Sequence, residues 1–428
     1  MSKTTTYFDW AFFGSLIFIA ISFPISFKVS NWGIVSLAIV WFFELLLVKK
    51  RIQFISKRSR IIFFSFLALF LWQVATLLYT NDLESGYRNL EGKLSLLIIP
   101  IILLTRQVSF VQLVVLFKAY IYAILFCTLF LFYNSGLHYL ESSRFLTYHD
   151  FTAVLGFHAV FYSYYTYLAI VISAFLLELG VLKKIERTGL LLLNVLLFVA
   201  LVISASKNVL IVTTLSVLTL GFYRVIKGKF TLQRAAFILS VVAVVCSSFL
   251  ISPNIRMRLS ELGKFDGIEN LQKVQQGEKL DHEDRIKFNG TSLRIFFWVT
   301  GIEIVAKNNS QILGLTPGDR RAIINEEYFK NGMNPAYENF NLHNQFVQTY
   351  VEMGVIGLSF YLILLTVLFS TAIKTKNLLL LIFLSAFVVF QMTESVLERN
   401  KGIVFFIFFI ILLQQLRSVN YENRHNRN

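Results

Sequence analysis

The chain has 428 residues, of which 56% are hydrophobic, 16% aromatic and only 15% charged. Soluble globular proteins are about a quarter charged, so this composition excludes an ordinary soluble domain. The 40 Lys and Arg residues outnumber the 25 Asp and Glu residues, which in a soluble protein would indicate nucleic-acid binding. In a membrane protein such cations collect in cytoplasmic loops, so we expect membrane lipids as partners and no nucleic acid.

Apolar stretches long enough to span a bilayer recur along the whole sequence. Reading them between polar breaks gives twelve candidate spans, near residues 8–27, 32–48, 61–79, 92–105, 108–133, 151–178, 189–204, 207–223, 235–252, 345–373, 378–393 and 402–416. The fourth is short and contains Pro100. The sequence therefore predicts an all-α integral membrane protein with about twelve transmembrane helices.

The distribution of Lys and Arg predicts how these spans are oriented. Basic connections lie near residues 49–60, 183–187, 224–234 and 374–376, and a basic tail follows residue 416. Every one of them follows an even-numbered span. With both termini in the cytoplasm, all of these clusters fall inside, as the positive-inside rule requires.

The same count divides the chain into four parts. Residues 1–252 are predicted to form an N-terminal transmembrane bundle of about nine spans, 253–344 one large outer loop, 345–416 the C-terminal transmembrane helices and 417–428 a cytoplasmic tail. Loops of this length are usually functional. Because there is no ATP on the outer side, a reaction at this loop would need a substrate that arrives already activated.

Two basic side chains lie where helices are predicted to start at the outer surface. Ser206 can cap the eighth span and place Lys207 in its first turn. Ser292 can cap an amphipathic segment with Arg294 in its first turn. A cation there opposes the helix dipole, whereas free N–H groups of the same turn bind anions. A diphosphate would supply the missing negative charge, contacting Arg through its planar fork and Lys as a point charge.

A histidine lies at a third predicted helix start. Asn341 is predicted to cap the tenth span, with His343 at the second helical position. The positive end of a helix disfavours an imidazolium ion, so we expect a neutral His343, as a general base requires. Plainer explanations stay open. Lys207 could reach lipid headgroups, and Arg294 could stack on Trp298 or bind lipid phosphate. His343 could be a polar residue at the membrane boundary.

Two carboxylates follow the eleventh span. Glu394 and Glu398 are expected to pair with Arg399 or Lys401 rather than to act as catalysts. The two cysteines lie inside apolar runs, and the sequence contains no metal-ligand spacing. We therefore expect no disulfide, no metal and no cofactor.

The order of motifs around His343 resembles that of a known family. The segment 342–346 reads Leu-His-Asn-Gln-Phe, and Glu352, Gly354 and Gly357 follow it in an E-x-G-x-x-G pattern. This arrangement resembles the O-antigen ligase and polymerase superfamily, in which a histidine-asparagine pair opens a helix and the same glycine pattern follows.

Upstream residues extend the resemblance to about residues 200–410. Arg294 with Trp298, followed by Gly314 and Gly318, resembles the family's R-x-x-x-W and glycine region. The turn before the eighth span resembles a Ser-Arg motif of the family, but Lys207 replaces the arginine. This replacement keeps the charge and loses bidentate phosphate binding.

The resemblance implies a metal-independent inverting glycosyltransferase with a GT-C-like fold in the bacterial inner membrane, its active site and the loop 253–344 facing the periplasm. Such enzymes take a glycan from undecaprenyl diphosphate. By analogy, Lys207 and Arg294 would hold the diphosphate, Arg294 would also neutralise developing charge, and His343 would orient or deprotonate the acceptor hydroxyl. The supporting residues would be Trp298, Asn344, Glu394 and Glu398.

The sequence alone leaves three functions open. A ligase would join the glycan to a sugar of lipid A-core, and we favour it because the histidine region is similar to that of ligases. A polymerase would join the glycan to another carrier-linked repeat. A transporter or lipid flippase also fits twelve spans, but such proteins tend to have internal repeats and ionisable residues near mid-membrane, which this sequence does not show.

Overall fold

The computed structural model describes residues 3–49, 51–179, 182–204, 206–226, 290–330 and 333–425, with a few isolated positions between 269 and 288. Its helices are α1 (Lys3–Ser22), α2 (Phe27–Leu47), α3 (Lys57–Thr76), α4 (Leu83–Gly92), α5 (Ser95–Thr105), α6 (Phe110–Ser142), α7 (Tyr148–Ala153), α8 (Ala159–Leu179), α9 (Lys184–Ile203), α10 (Lys207–Ile226), α11 (Gly290–Lys307), α12 (Arg320–Lys330), α13 (Gln345–Lys374), α14 (Leu378–Gln391) and α15 (Asn400–His425). Short 3₁₀ turns occupy Pro335–Tyr337 and Val396–Glu398. The predicted ninth span, 235–252, lies outside the described residues.

The described helices agree with a membrane protein. Six of them, α2, α3, α6, α8, α9 and α13, are long and apolar enough to cross a bilayer, and shorter apolar helices lie within α1, α10, α14 and α15. Together they correspond to the predicted spans other than the fourth and the ninth. The all-α membrane fold is therefore confirmed, whereas the count of twelve spans and the domain boundaries stay predictions.

The predicted fourth span is a short helix. α5 has 11 residues, so it is about 16 Å long, and a bilayer core is about 30 Å thick. The amphipathic α4 ends at Gly92. The Nζ atom of the next residue, Lys93, donates a hydrogen bond to Oε1 of Glu398 at 2.8 Å. The turn at Lys93 separates α4 from α5. Most residues of α5 are buried, and the helix packs against α3 and α15.

Ion pairs join helix ends that the predicted alternating topology places on the same side of the membrane. Arg106, directly after α5, forms ion pairs with Asp9 of α1 at 2.6 Å and with Glu44 near the end of α2. Lys118 of α6 pairs with Glu186 at the start of α9 at 2.8 Å. We call this the Arg106 end of the bundle. All of these residues belong to ends that the sequence predicts to be cytoplasmic; the assignment of this end to the cytoplasm stays a prediction.

The long helix α13 is broken at Gly354, whose φ is 64° and ψ is −168°. Backbone groups freed by this break pair with the segment that precedes α12. The amide of Val355 donates to the carbonyl of Gln311 at 2.9 Å, and the amide of Leu315 donates to that of Val351 at 2.8 Å. A broken membrane helix is stable when a neighbouring segment satisfies its backbone in this way.

Two glycines of the sequence motifs make this close approach feasible. A Cβ on Gly354 would overlap the backbone of Ile312, and a Cβ on Gly314 would overlap the backbone of Glu352. Both glycines also have positive φ, 64° and 80°, which side chains disfavour. The E-x-G-x-x-G pattern therefore marks a place where two backbones touch.

Candidate functional site

His343 lies just before a helix and not inside it. The cap of α13 is Asn344, whose side-chain oxygen accepts two backbone N–H groups of the first turn at 2.9 and 3.2 Å. The predicted cap at Asn341 was wrong, because its side chain instead accepts the backbone N–H of His343 at 3.1 Å. This contact belongs to a tight turn in which His343 has a φ of 48°.

The backbone turn around His343 is held from several sides. The indole N–H of Trp298 donates to the carbonyl of Leu342 at 2.8 Å, and the side chain of Gln348 accepts the Leu342 N–H at 2.9 Å. The N–H of Asn344 donates to the hydroxyl of Ser395 at 3.2 Å. Trp298 thus supports the turn that carries the histidine, rather than stacking on Arg294.

The histidine, an arginine and a glutamate meet at this turn, and we call them the His343 cluster (Arg294, His343 and Glu394). The Nδ1 atom of His343 lies 3.3 Å from one carboxylate oxygen of Glu394, and Nη2 of Arg294 lies 3.4 Å from the other. Arg294 also donates through Nε to the carbonyl of Thr393 at 3.2 Å and through Nη1 to that of Gly290 at 2.7 Å. The structure therefore brings together two predicted site residues and one predicted supporting residue.

The placement of Arg294 corrects its predicted helix position. Because α11 begins at Gly290, Arg294 is the fifth helical residue and Ser292 lies inside the helix, fully buried, instead of capping it. Arg294 reaches the site along the helix surface, with its guanidinium anchored on the first carbonyl of its own helix. Arg294 is therefore not a cation in the first helical turn, as the sequence predicted it to be.

The partners of Glu394 differ from those expected. Its carboxylate contacts His343 and Arg294, whereas the sequence favoured Arg399 or Lys401. Burial raises the pKa of this carboxyl, but the hydrogen bond from His343 and the positive charges around it outweigh burial, so the pKa lies below its ordinary value. A charged Glu394 is thus the stable form beside the histidine.

The geometry fixes the role of each nitrogen in a neutral His343 ring. A carboxylate only accepts hydrogen bonds, so Nδ1 must carry the proton that it donates to Glu394. The Nε2 atom is then an acceptor, and within the described part of the chain it has no hydrogen-bond partner. The ring lies nearly parallel to that of Phe297, with centroids 6.2 Å apart, and its side chain is 22% exposed. This arrangement can take a proton from an incoming hydroxyl.

Lys207 is the first residue of α10, as predicted, and its side chain is half-buried. The helix before it, α9, starts at the Arg106 end, where Glu186 pairs with Lys118. It has 20 residues, so it extends about 30 Å away from that end. The amide of Gln415 in α15 donates to the carbonyl of Leu103 near the Arg106 end. The start of α15, which follows Glu394 closely, therefore lies at the opposite end, and Lys207 lies towards it. The described contacts of Lys207 do not include a hydrogen bond or ion pair with the His343 cluster.

A second buried group of charges includes Glu398 of the 3₁₀ turn, and we call it the Lys93 cluster (Lys93, Arg320, Glu352 and Glu398). Lys93 lies 2.8 Å from Glu398 and 3.4 Å from Glu352. Arg320 lies 2.9 Å from Glu352 and 3.9 Å from Glu398. All four side chains are at most 6% exposed, and their charges balance. Neither Lys93 nor Arg320 belongs to a motif, so the sequence does not predict either as a site residue.

Glu398 therefore belongs to the Lys93 cluster and not to the His343 cluster. The predicted pairing with Arg399 or Lys401 was wrong, because the turn Val396–Glu398 points Glu398 into the Lys93 cluster. Burial raises the pKa of this carboxyl, and the charges of Lys93 and Arg320 reverse that effect and lower it. The cluster ties this turn to α12 and α13.

Residues 192–362 match the family model described as O-antigen ligase. The match confirms, for the part of the chain that it covers, the O-antigen ligase and polymerase superfamily that the motifs resemble. It includes Lys207, Arg294 and His343, and Glu394 lies beyond it. A comparison with curated proteins found no match.

An O-antigen ligase-type protein acts on lipid-linked glycans in a membrane, and the described helices suit that setting. The His343 cluster supplies an imidazole with one open nitrogen, a charged partner for the other nitrogen and a neighbouring guanidinium. In the described part of the chain, His, Cys, Asp and Glu side chains form no group of three that could hold a metal ion.

Proposed function

We propose that this protein transfers a glycan from undecaprenyl diphosphate to a sugar hydroxyl of lipid A-core, at the periplasmic face of the bacterial inner membrane. The observation that carries the proposal is the contact between His343 Nδ1 and Glu394, which presents Nε2 to a substrate beside Arg294. The family match over residues 192–362 supports a function of the O-antigen ligase or polymerase type.

The proposed reaction is a direct displacement without a metal. The acceptor hydroxyl gives its proton to Nε2 of His343, and its oxygen attacks the anomeric carbon from the face opposite the diphosphate. The bond from this carbon to the diphosphate oxygen breaks, and its electron pair leaves with the diphosphate, so the configuration inverts. The carboxylate of Glu394 stabilises the imidazolium that forms.

Arg294 would bind the leaving diphosphate. Its Nε and Nη1 atoms are committed to backbone carbonyls, which orient the guanidinium plane. The remaining contact, from Nη2 to Glu394, is long at 3.4 Å, and the side chain is 31% exposed. Lys207, towards the same end of the bundle, would add a second positive charge. Fixed cations of this kind stabilise charge that develops on a leaving group.

The substitution His343→Ala tests the proposal. In proteoliposomes with an undecaprenyl-diphosphate-linked glycan and lipid A-core, we expect the rate of glycan transfer to fall at least about 100-fold, because general base catalysis contributes this much or more. His138→Ala is the matched control, since His138 is an exposed imidazole that bonds within its own turn.

Transfer that survives in the His343→Ala variant at the wild-type rate would contradict the mechanism. The product of the wild-type protein separates the ligase from the polymerase. Glycan on lipid A-core identifies a ligase, and longer chains on the lipid carrier identify a polymerase.

A further inference from the structure

A polar pocket with a volume of about 280 Å³ lies beside the Lys93 cluster. Its walls come from α4 and the turn after it, from the start of α12, and from the 3₁₀ turn with the start of α15. The lining includes the cations Arg88, Lys93 and Arg321 and one carboxylate, Glu398. The proposed reaction does not use this pocket.

Partly buried hydrogen bonds fix two of these walls against each other. The carboxylate of Asp319, just before α12, accepts the backbone N–H groups of Asn81 and Asp82, just before α4, at 2.9 and 2.8 Å. The hydroxyls of Thr80 and Thr316 lie 2.7 Å apart. These contacts join segments more than 230 residues apart in sequence. The pocket is therefore preformed, which lowers the entropic cost of binding.

The Lys93 cluster fixes the third wall. The 2.8 Å contact between Glu398 and Lys93 joins the 3₁₀ turn to the end of α4, and Arg320 joins the same turn to α12. Because Glu398 is already engaged by two cations, its charge is neutralised before any ligand enters. The remaining lining charge is positive.

The exposed cations at the pocket lack strong partners. Arg321 is exposed, and no described residue forms an ion pair with it. Arg88 pairs with Glu84 one helical turn away, and both side chains are about three-quarters exposed, so that pair contributes little. Guanidinium groups of this kind bind carboxylate or phosphate groups through two hydrogen bonds.

Neutral polar side chains complete the lining. Ser85, Asn89 and Asn400 lie around the same cavity, and their hydroxyl and amide groups both donate and accept hydrogen bonds. This combination of cations with hydroxyl and amide groups suits a sugar that carries an acidic group.

The pocket is also close to the His343 cluster. Glu394 and Glu398 are four residues apart, so their Cα atoms lie within about 14 Å of each other. The short segment 394–398 thus contributes one residue to each site. We propose that this pocket binds an acidic sugar of the acceptor glycan, through its phosphate or carboxylate group, while a neighbouring hydroxyl of the glycan reaches His343. This assignment rests on the proposed function.

Binding of small probes tests the pocket without any glycosyl transfer. The protein is placed in nanodiscs of neutral phosphatidylcholine, and the Kd values of glucose 1-phosphate and of glucose are measured by ligand-observed NMR. We expect glucose 1-phosphate to bind at least about tenfold more tightly. The substitution Arg321→Ala should weaken its binding about tenfold, as expected for the loss of one charged hydrogen-bonding partner.

Matched variants separate the pocket from general charge effects. Lys330→Ala removes an exposed cation from the other end of the same helix and should leave the Kd unchanged, whereas Arg321→Lys should keep part of the affinity. Equal binding of both probes, or an unchanged Kd in the Arg321→Ala variant, would overturn the proposal. A second set of nanodiscs contains phosphatidylglycerol in addition to phosphatidylcholine. Displacement of glucose 1-phosphate by this lipid would also overturn the proposal, because the pocket would then bind lipid headgroups.

Transfer kinetics distinguish failure of the pocket from failure of the proposed function. In an active preparation, Arg321→Ala should raise the KM for the acceptor about tenfold with a much smaller change in kcat. If Arg321→Ala has an unchanged KM for the acceptor and transfers normally, the proposed role of the pocket is wrong, and the proposed function is unaffected. The His343→Ala variant should still bind glucose 1-phosphate normally, since it changes only the reacting site.

Discussion

His343 is held in a conformation that most side chains avoid. Its φ of 48° costs about 1–2 kcal/mol for a residue with a Cβ atom. Contacts from Trp298, Gln348 and Asn341 hold the turn in place. Strain of this kind persists where the surroundings fix it, and it is concentrated at functional sites. Here it directs the imidazole at Glu394.

The role of Glu394 can be tested by changing its charge. Glu394→Gln keeps the size of the side chain and removes the charge that stabilises the imidazolium. We expect kcat for glycan transfer to fall about 10- to 100-fold with little change in KM. The control Glu326→Gln changes a carboxylate that pairs only with the exposed Lys330 and should be neutral.

The pH profile distinguishes this effect from a structural one. The pKa of Glu394 is lowered from 4.5, so the carboxylate is charged above that pH and is protonated only as the pH falls further. Between about pH 7 and 9 the carboxylate is therefore charged throughout, and the activity ratio between the wild type and Glu394→Gln should stay constant. A ratio that changes within this range would contradict the assignment.

At the scale of helices, hydropathy located most elements because it depends on local composition. The tenth span was predicted at 345–373 and α13 is Gln345–Lys374. The cap was misplaced because Asn341 and Asn344 are equally good caps by type, and the choice between them depends on contacts with Trp298 and Ser395. The break at Gly354 has no local signal in an apolar run, since it depends on pairing with residues 311–315.

The broken helix predicts the effect of adding a methyl group at Gly354. Gly354→Ala would place a Cβ against the backbone of Ile312 and force an alanine into a positive φ. We expect the free energy of unfolding to fall by about 2 kcal/mol or more, measured by thermal unfolding in detergent. The control is Gly136→Ala in α6, where a Cβ would meet no atom within 4 Å. This control should be neutral or slightly stabilising, and equal effects of both variants would contradict the assignment.

At the scale of the whole molecule, the Lys93 cluster joins four separate parts of the chain. Its residues come from the turn after α4, from α12, from α13 and from the turn before α15. None of these pairings has a periodicity or a spacing that a sequence reveals, because each depends on the folded arrangement. The sequence therefore predicted the membrane class and the candidate residues, but not the charges that support them.

Removing one member of this cluster should destabilise the fold. Glu398→Gln would leave two buried cations with one carboxylate, and unbalanced buried charges of this kind cost about 3–5 kcal/mol. The expected result is a clear fall in the thermal unfolding temperature. The control Asp150→Asn breaks an exposed pair with Arg144 and should cost less than about 1 kcal/mol.

The pH dependence of the free energy of unfolding is a second test of the Glu398→Gln variant. Because the pKa of Glu398 is lowered from 4.5, its stabilising contribution is complete above that pH and is lost as the pH falls towards the folded-state value. The wild-type protein should lose this component on acidification below about pH 4.5, and Glu398→Gln should not. Parallel losses in both proteins would contradict the assignment.

The short helix α5 has a consequence for how the protein is made. With 11 residues, it is too short to be inserted by the translocon as an independent span. Its packing is completed by α15, whose Gln415 amide donates to the carbonyl of Leu103, 312 residues earlier in the chain. The packing of α5 is therefore complete only after α15 has been synthesised. A chain stopped before α15 would leave α5 without this partner.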